Sequence, residues 1–390
     1  MGDVYVATIA RIKAQVGDKS RLGMATLMWI SHAERPLRAE EVCHALAVEL
    51  GSTDFNTSNI PSIPTLVSCS QGLIAVDKET STVRLIHFTL QEYRYLSAHS
   101  DIFSRPHSAM AEICLTYLSL LQVKVLSTRP SPNARNIPFL EYCSVYRGVH
   151  AKRELSDRAR SLALELLKDN YGQISTKLLL ARVEGLDLPD FSTCFPFSGL
   201  HCASFFGITE VVVGLIEMGC HDIDGGDFSG CTPLAWAAHG GRAGVVGVLL
   251  EREEVNPDQP NSDGWTPLLY AACEGHEGVV KIILGWEEVN PDKSNDFGQT
   301  PLSYAGWEGH ERVVKILLEW EEVNPDEPDN FGQTPLLVAA WGGNKGAVKM
   351  LLERKRSTST SQVISARHRS RVLLGMAMRG WLRCHALAKR

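Results

Sequence analysis

Between Ser198 and Glu353 the chain repeats itself every 34 residues. Thr232-Pro233-Leu234, Thr266-Pro267-Leu268, Thr300-Pro301-Leu302 and Thr334-Pro335-Leu336 stand at that interval, and a degenerate copy opens at Ser198-Gly199-Leu200. A period of about 20–50 residues marks stacked units, none of which buries its apolar face alone. Each Thr is placed to cap a helix with its hydroxyl, and each Pro to occupy the first helical position, where its missing N–H costs nothing. A short helix follows (Leu268 to Glu274 in one copy) and stops at a glycine that recurs as Gly207, Gly241, Gly275, Gly309 and Gly343. A left-handed helix end requires that residue.

The second helix of each unit carries two apolar pairs four residues apart, as in Val245-Val246 with Leu249-Leu250 or Val279-Val280 with Ile283-Leu284. Val313-Val314 with Leu317-Leu318, Ala347-Val348 with Leu351-Leu352, and Val211-Val212 with Leu215-Ile216 complete the set. Residues at i and i+4 share one helix face, so stacking buries a continuous stripe. Segments such as Asn324 to Gln333, rich in Asn, Pro, Asp and Gly, predict tight turns projecting between units.

These units resemble ankyrin repeats, whose pattern runs TPLH-x-A and then G-H-x-x-V-V-x-x-L-L. TPLLYAACEGHEGVVKIIL (266–284) and TPLSYAGWEGHERVVKILL (300–318) match it closely. Two departures stand out. The period is one longer than the family's ~33. The His after TPL is replaced by Ala235, Leu269, Ser303 and Leu337, which removes the usual Thr–His hydrogen bond.

Charge is distributed unevenly. Residues 198–353 carry 25 Asp/Glu against 8 Lys/Arg, a balance of −17, whereas 354–390 carry 10 Lys/Arg and no acid. Residues 1–197 are near neutral, with 20 acids and 21 bases. An acidic array argues against a nucleic-acid partner, since phosphate binding relies on clustered Lys/Arg, and suits a basic protein surface. The ten cysteines include no C-x-x-C pair. Cys43, Cys69, Cys114 and Cys273 lie in apolar helical patterns, and Cys194, Cys202, Cys220 and Cys231 lack zinc-ligand spacing, so the expectation is reduced thiols and a cytoplasmic chain without metal. No signal peptide or apolar run of about 18 residues is present.

Upstream, residues 2–32 read as two helices, the second (Arg21 to Ser31) apolar enough to be buried, and Arg38 to Leu50 as a third. A short helix from Thr65 to Ser70 follows. Leu73 to Val76 and Val83 to His87, separated by the polar turn Asp77-Lys78-Glu79-Thr80, read as a β-hairpin. This order is that of a winged helix. MWISHAERPLRAEEVCHALAVELG (28–51), LVSCSQGLIAVDKETSTVRLIHFTLQEYRYL (66–96) and HSAMAEICLTYLSL (107–120) resemble the winged-helix domain, labelled GPI inositol-deacylase, that follows the NACHT module in fungal STAND (NLR-like) signalling proteins.

The resemblance implies a division into 1–20 as the tail of a NACHT-type module, 21–125 as winged helix, 126–197 as a helical linker, 198–353 as five repeats and 354–390 as a basic, poorly ordered tail. Within the linker, Pro138 to Lys152 and Asp157 to Asp169 read as helices bridging to the array. Arg371 to Lys389 has the pattern of a basic amphipathic helix suited to a membrane surface or a partner's groove, and membrane or nucleic-acid association through this basic tail is a further competing reading. The expected fold class is mainly α, a helical winged-helix domain followed by an ankyrin α-solenoid.

No chemistry-bearing constellation emerges, so no catalytic, cofactor or metal residues are expected, nor a small-molecule substrate. The deacylase label suggests a lipid-cleaving enzyme as the competing reading, yet the chain holds no G-x-S-x-G elbow. Nor does it hold G-x-x-x-x-G-K-[ST] for a nucleotide. His276-Glu277 and His310-Glu311 fall short of H-E-x-x-H because Val280 and Val314 stand at the second His position. Both lie where the family uses an imidazole to bond loop backbone. His87 reads as a structural histidine at the hairpin's end. The paired acids Glu253-Glu254, Glu287-Glu288 and Glu321-Glu322 recur in register as a solvated face. The DNA-recognition position, Ser62 to Leu73, contains no Lys or Arg, which speaks against DNA binding.

What remains is an interaction surface. In ankyrin proteins the turn tips and first helices line a concave face, where the aromatics here are Trp236, Trp265, Tyr270, Phe297, Tyr304, Trp307, Phe331 and Trp341. Aromatics beside acids suit a binding hot spot. Trp265 and Trp307 are expected to be exposed, because their in-register equivalents change type freely. The function read from the sequence is therefore a non-catalytic scaffold holding a basic protein partner.

Overall fold

The computed structural model describes residues 2–86, 103–123, 137–169, 174–184 and 197–358. The chain divides into two compact units, the first reaching Leu166 and the second holding all the repeats. His87 and the segment 371–389 lie outside the described residues.

In the first unit, α1 (Gly2–Lys13) and α2 (Asp18–His32) precede α3 (Ala39–Ala47) and α4 (Ile63–Cys69). Strands β1 (Ile74–Val76) and β2 (Val83–Leu85) pair antiparallel, with Ile74 opposite Leu85 and Val76 opposite Val83. A feature without a sequence signal adds a third arm: Arg38 bridges to Thr82, and the Val83 N–H donates to Leu37 O at 2.8 Å. Helix α4 is the element a DNA-binding winged helix would present. Here it packs inward, with Leu66 and Cys69 buried and the Gln15 amide donating to Cys69 O at 2.7 Å. A Cβ on Gly23 of α2 would lie 2.6 Å from that same carbonyl, so only glycine permits the approach.

The helix expected to bridge to the array does something else. α6 (Leu140–Arg153) packs against α5 (Pro106–Ser119) inside the first unit. The indole of Trp29 stands edge-on to Phe139 and Tyr142 at 5.3 and 5.9 Å, and Tyr117 meets Phe139 at 5.3 Å. Four buried aromatics from three helices thus form one core, which a local reading of 126–197 as linker misses. Residues assigned to a preceding module also belong here: Ile12 of α1 is fully buried. α7 (Asp157–Leu167) and α8 (Ile174–Glu184) complete the helices before the repeats.

The repeat unit contains five helix pairs: α9 (Gly199–Phe206) with α10 (Thr209–Met218), α11 (Pro233–His239) with α12 (Ala243–Leu250), α13 (Pro267–Cys273) with α14 (Glu277–Leu284), α15 (Pro301–Glu308) with α16 (Glu311–Glu319), and α17 (Pro335–Trp341) with α18 (Lys345–Thr358). Each first helix packs on the next first helix, and each second on the next second. Val245, Val246, Leu249 and Leu250 are all buried, as are their equivalents in the next two units. Burying each such side chain contributes about 1.5–3 kcal/mol. Thr232, Thr266 and Thr300 cap their helices with hydroxyls that accept the N–H three residues on at 3.2 to 3.3 Å. The expected cap at Thr334 is not made.

The last unit is also the least enclosed, with Leu352 43% exposed while Ala347 and Leu351 are buried. Its second helix runs on to Thr358, past the predicted start of the tail at Arg354. Ala, Leu, Lys and Arg are good helix formers, so nothing in the sequence halts the helix at 353.

Candidate functional site

Three hydrogen-bond ladders, each at the repeat interval, set the face formed by turn tips and first helices. In the first, Asp227, Asn261, Asn295 and Asp329 sit at equivalent positions in the tips. Each uses its Oδ1 to accept the N–H groups two and four residues on, at 2.8 to 3.0 Å. These are Asx turns, in which a short side chain replaces a backbone partner.

The second ladder joins units. Arg242, His276, His310 and Asn344 each donate to a carbonyl at the end of the preceding unit's first helix. His276 Nε2 reaches His239 O at 2.9 Å and His310 Nε2 reaches Cys273 O at 2.8 Å. The structural role expected of these histidines is therefore what they perform. In the third ladder, Asp224, Asp258 and Asp292 accept the N–H of Asn256, Asn290 and Asn324 across successive units. Burial pushes all three carboxyls above the ordinary Asp range, against the lowering effect of that N–H. The first repeat alone keeps the family His: His201 shares a 2.7 Å hydrogen bond with Ser198 Oγ, and burial lowers its pKa to about 4.

Against these ladders the eight aromatic candidates separate into two groups. Trp236, Tyr270 and Tyr304 are struts. Trp236 Nε1 donates to Asp227 Oδ2 at 2.8 Å, the Asn261 amide donates to Tyr270 Oη at 3.0 Å, and Tyr304 Oη donates to Gln299 Oε1 at 2.6 Å. Each ties a first helix to its own tip.

Trp265 does not meet the expectation of exposure. It is 6% exposed, with its ring 5.1 Å from Tyr270 and 4.6 Å from Tyr304 of the following unit. Its neighbours in space, not its in-register equivalents, decide its burial. Trp236 and Tyr304 are buried as well. Phe297, Trp307 and Phe331 are half-buried, and Trp341 is 44% exposed. Of the eight candidates, Trp341 of the last repeat is the exposed one. Phe228 and Trp286 are further exposed aromatics, of which the tip position of Phe228 gives a sequence-level hint.

Acids lie beside them. Glu274 and Glu308 end consecutive first helices at equivalent positions, both half-buried. Burial, with the charge of Glu308, raises the Glu274 carboxyl to about 7. His239 Nε2 stands 3.8 Å from Glu274, yet burial holds that imidazole neutral, near pKa 4, so the two are not an ion pair. The face offers a carboxylate pair under mutual repulsion. It brings together no nucleophile, base and oxyanion donor.

Comparison with known families agrees with this arrangement. A model described as ankyrin repeats in three copies matches residues 200–292 and again 278–362. A second, described as the GPI inositol-deacylase winged helix domain, matches residues 11–106. No curated protein matches the chain at a significant level. Among the described residues no helix is long and apolar enough to cross a membrane. The three-armed hairpin and the laddered helix pairs that follow match what the family models find: the chain carries a GPI inositol-deacylase winged helix domain and ankyrin repeats.

Proposed function

We propose that the repeats hold a protein partner on the face made by their tips and first helices, and that the partner presents basic side chains there. Ankyrin repeats support a protein–protein interaction role in general. The observation that carries the narrower reading is the Glu274–Glu308 pair, in which burial, with the charge of Glu308 added, lifts Glu274 to about 7. A Lys or Arg docked between them relieves that repulsion. Trp307 and Trp341, accessible on the last two repeats, offer indole faces for a guanidinium or an aliphatic stem. The array's balance of −17 steers such a partner toward the face.

On this reading the chain is a scaffold and not an enzyme, comparable with the repeat-bearing half of STAND signalling proteins, with its winged helix used for packing and its setting cytoplasmic. The inward-facing α4, free of Lys and Arg, supports a packing role for that domain. The test is selection of a random-peptide display library on the full chain. Lys- and Arg-bearing peptides should be enriched, should release as salt rises, and should be lost on Trp307→Ala combined with Trp341→Ala. Enrichment of acidic peptides would remove the charge argument. Turnover of an acylated inositol lipid by the purified chain would remove the scaffold reading.

A further inference from the structure

In the first unit, far from one another in sequence, Glu34, His107 and His150 converge. One ligand-type atom from each lies within 4.8 Å of the others. The two imidazoles stack with centroids 5.1 Å apart, and their Nδ1 atoms face each other at 2.9 Å. Two nitrogens can approach so closely only if one proton, or one cation, lies between them. We propose that Glu34, His107 and His150 form a binding site for a divalent transition metal such as Zn²⁺, with two imidazole nitrogens and one carboxylate oxygen as ligands.

Four observations support the assignment. First, tetrahedral zinc with Zn–N bonds of about 2.0–2.1 Å places two ligand nitrogens roughly 3.3 Å apart, so the pair needs to open by only about 0.4 Å. Second, His150 is fully buried, which places its ring where a neutral ligand nitrogen is held away from competing water.

Third, His150 has the outer partner that metal-binding imidazoles use: its Nε2 lies 2.9 Å from Tyr142 Oη, which accepts the Glu34 N–H at 3.2 Å. Without metal, one tautomer satisfies the whole chain, with Tyr142 O–H donating to Nε2 and the His150 Nδ1–H donating to His107. Metal entry moves the His150 proton from Nδ1 to Nε2, where the Tyr142 oxygen accepts it, so the pair releases no proton. Fourth, the surroundings are balanced. Arg153 grips the Glu34 carboxylate, and Arg105 pairs with Glu154, whose carboxylate also accepts the Ser108 N–H. Arg153 opposes a cation, and its side chain is about half exposed.

The test is titration of the full chain, stripped with chelator, with Co²⁺, followed by visible absorption. The expected result is one equivalent bound with a ligand-field band, no thiolate charge-transfer band, and displacement by Zn²⁺. His107→Gln and Glu34→Gln, at partly exposed positions, should abolish the band. Tyr142→Phe should weaken binding by about tenfold. Arg153→Met should tighten it, which a chance surface ion would not show, and this arm holds even if ligand variants unfold. Absence of the band in the wild-type chain, a thiolate signature, or a wild-type isotherm in His107→Gln would each overturn the site.

Discussion

The indole N–H of Trp236 donates to the carboxylate of Asp227 at 2.8 Å, both residues buried, and so fixes a turn tip to the helix nine positions on. Trp236→Phe keeps the ring and removes the donor. It leaves the Asp227 carboxylate short of a partner, a loss of about 1–3 kcal/mol. Urea unfolding should show this as a lower midpoint with an unchanged slope. An unchanged midpoint would mean that the indole merely fills space.

Gly275 has φ +74, and a Cβ there would stand 2.6 Å from His310 Nδ1. Gly275→Ala strains the backbone and pushes on the histidine that joins two units, so destabilisation of about 1–3 kcal/mol is expected. Thermal unfolding followed by circular dichroism checks it. Gly278, with open space around its Cβ position and helical φ, is the control: Gly278→Ala should stabilise by about 0.5–1 kcal/mol.

Glu41 is fully buried. Burial alone would raise its carboxyl, yet paired hydrogen bonds from Arg35 at 2.7 and 2.8 Å, and one from the Arg38 N–H, bring it below the ordinary Glu range. A folded pKa below the unfolded one contributes stability that is present at neutral pH and lost as pH falls below the usual Glu value near 4.5. Arg35→Met removes the paired hydrogen bonds and leaves the buried carboxylate only its Arg38 contacts, costing about 3 kcal/mol. In that variant, acid unfolding of the first unit should lose much of its dependence on Glu41. A wild-type acid midpoint would contradict it.

Glu274 has the opposite sign. Its folded pKa of about 7 lies above the ordinary Glu value of 4.5, so its contribution favours the fold below pH 4.5 and fades as pH rises through 7. Glu274→Gln should flatten the stability–pH curve between those limits and leave the array steadier at pH 8. Binding of a basic peptide should strengthen over the same interval as the carboxyl ionises, a trend the variant should lack. Isothermal titration in buffers of different ionisation heat measures the linked proton.

Trp341 touches solvent over nearly half its surface, unlike Trp265. Trp341→Ala should therefore leave the unfolding midpoint within about 0.5 kcal/mol of wild type while weakening peptide capture. Trp265→Ala opens the space between Tyr270 and Tyr304 and should cost about 3–5 kcal/mol. If both variants unfolded alike, the separation of struts from contact residues would fail.

Much of this was legible beforehand. The helix pairs, their glycine stops and the backbone role of His276 and His310 follow from spacing, because helix period and capping are local properties. The candidate face was legible only as a set of types. Trp236, Tyr270 and Tyr304 carry hydrogen-bonding groups that reach their own tips, and nothing in their spacing distinguishes such a strut from Trp341, which faces solvent. The linker reading of α6 failed for a related reason: the partners of Phe139 and Tyr142 are Trp29 and Tyr117, remote in sequence.

The 34-residue interval determined the architecture by itself, since each unit's apolar pairs leave stacking as the one way to escape water. Only the tertiary structure decided which aromatics bind the fold together, which carboxylates crowd each other, and that Glu34, His107 and His150 meet. Burial and proximity are sums over neighbours from distant segments, and a local pattern contains no term for them.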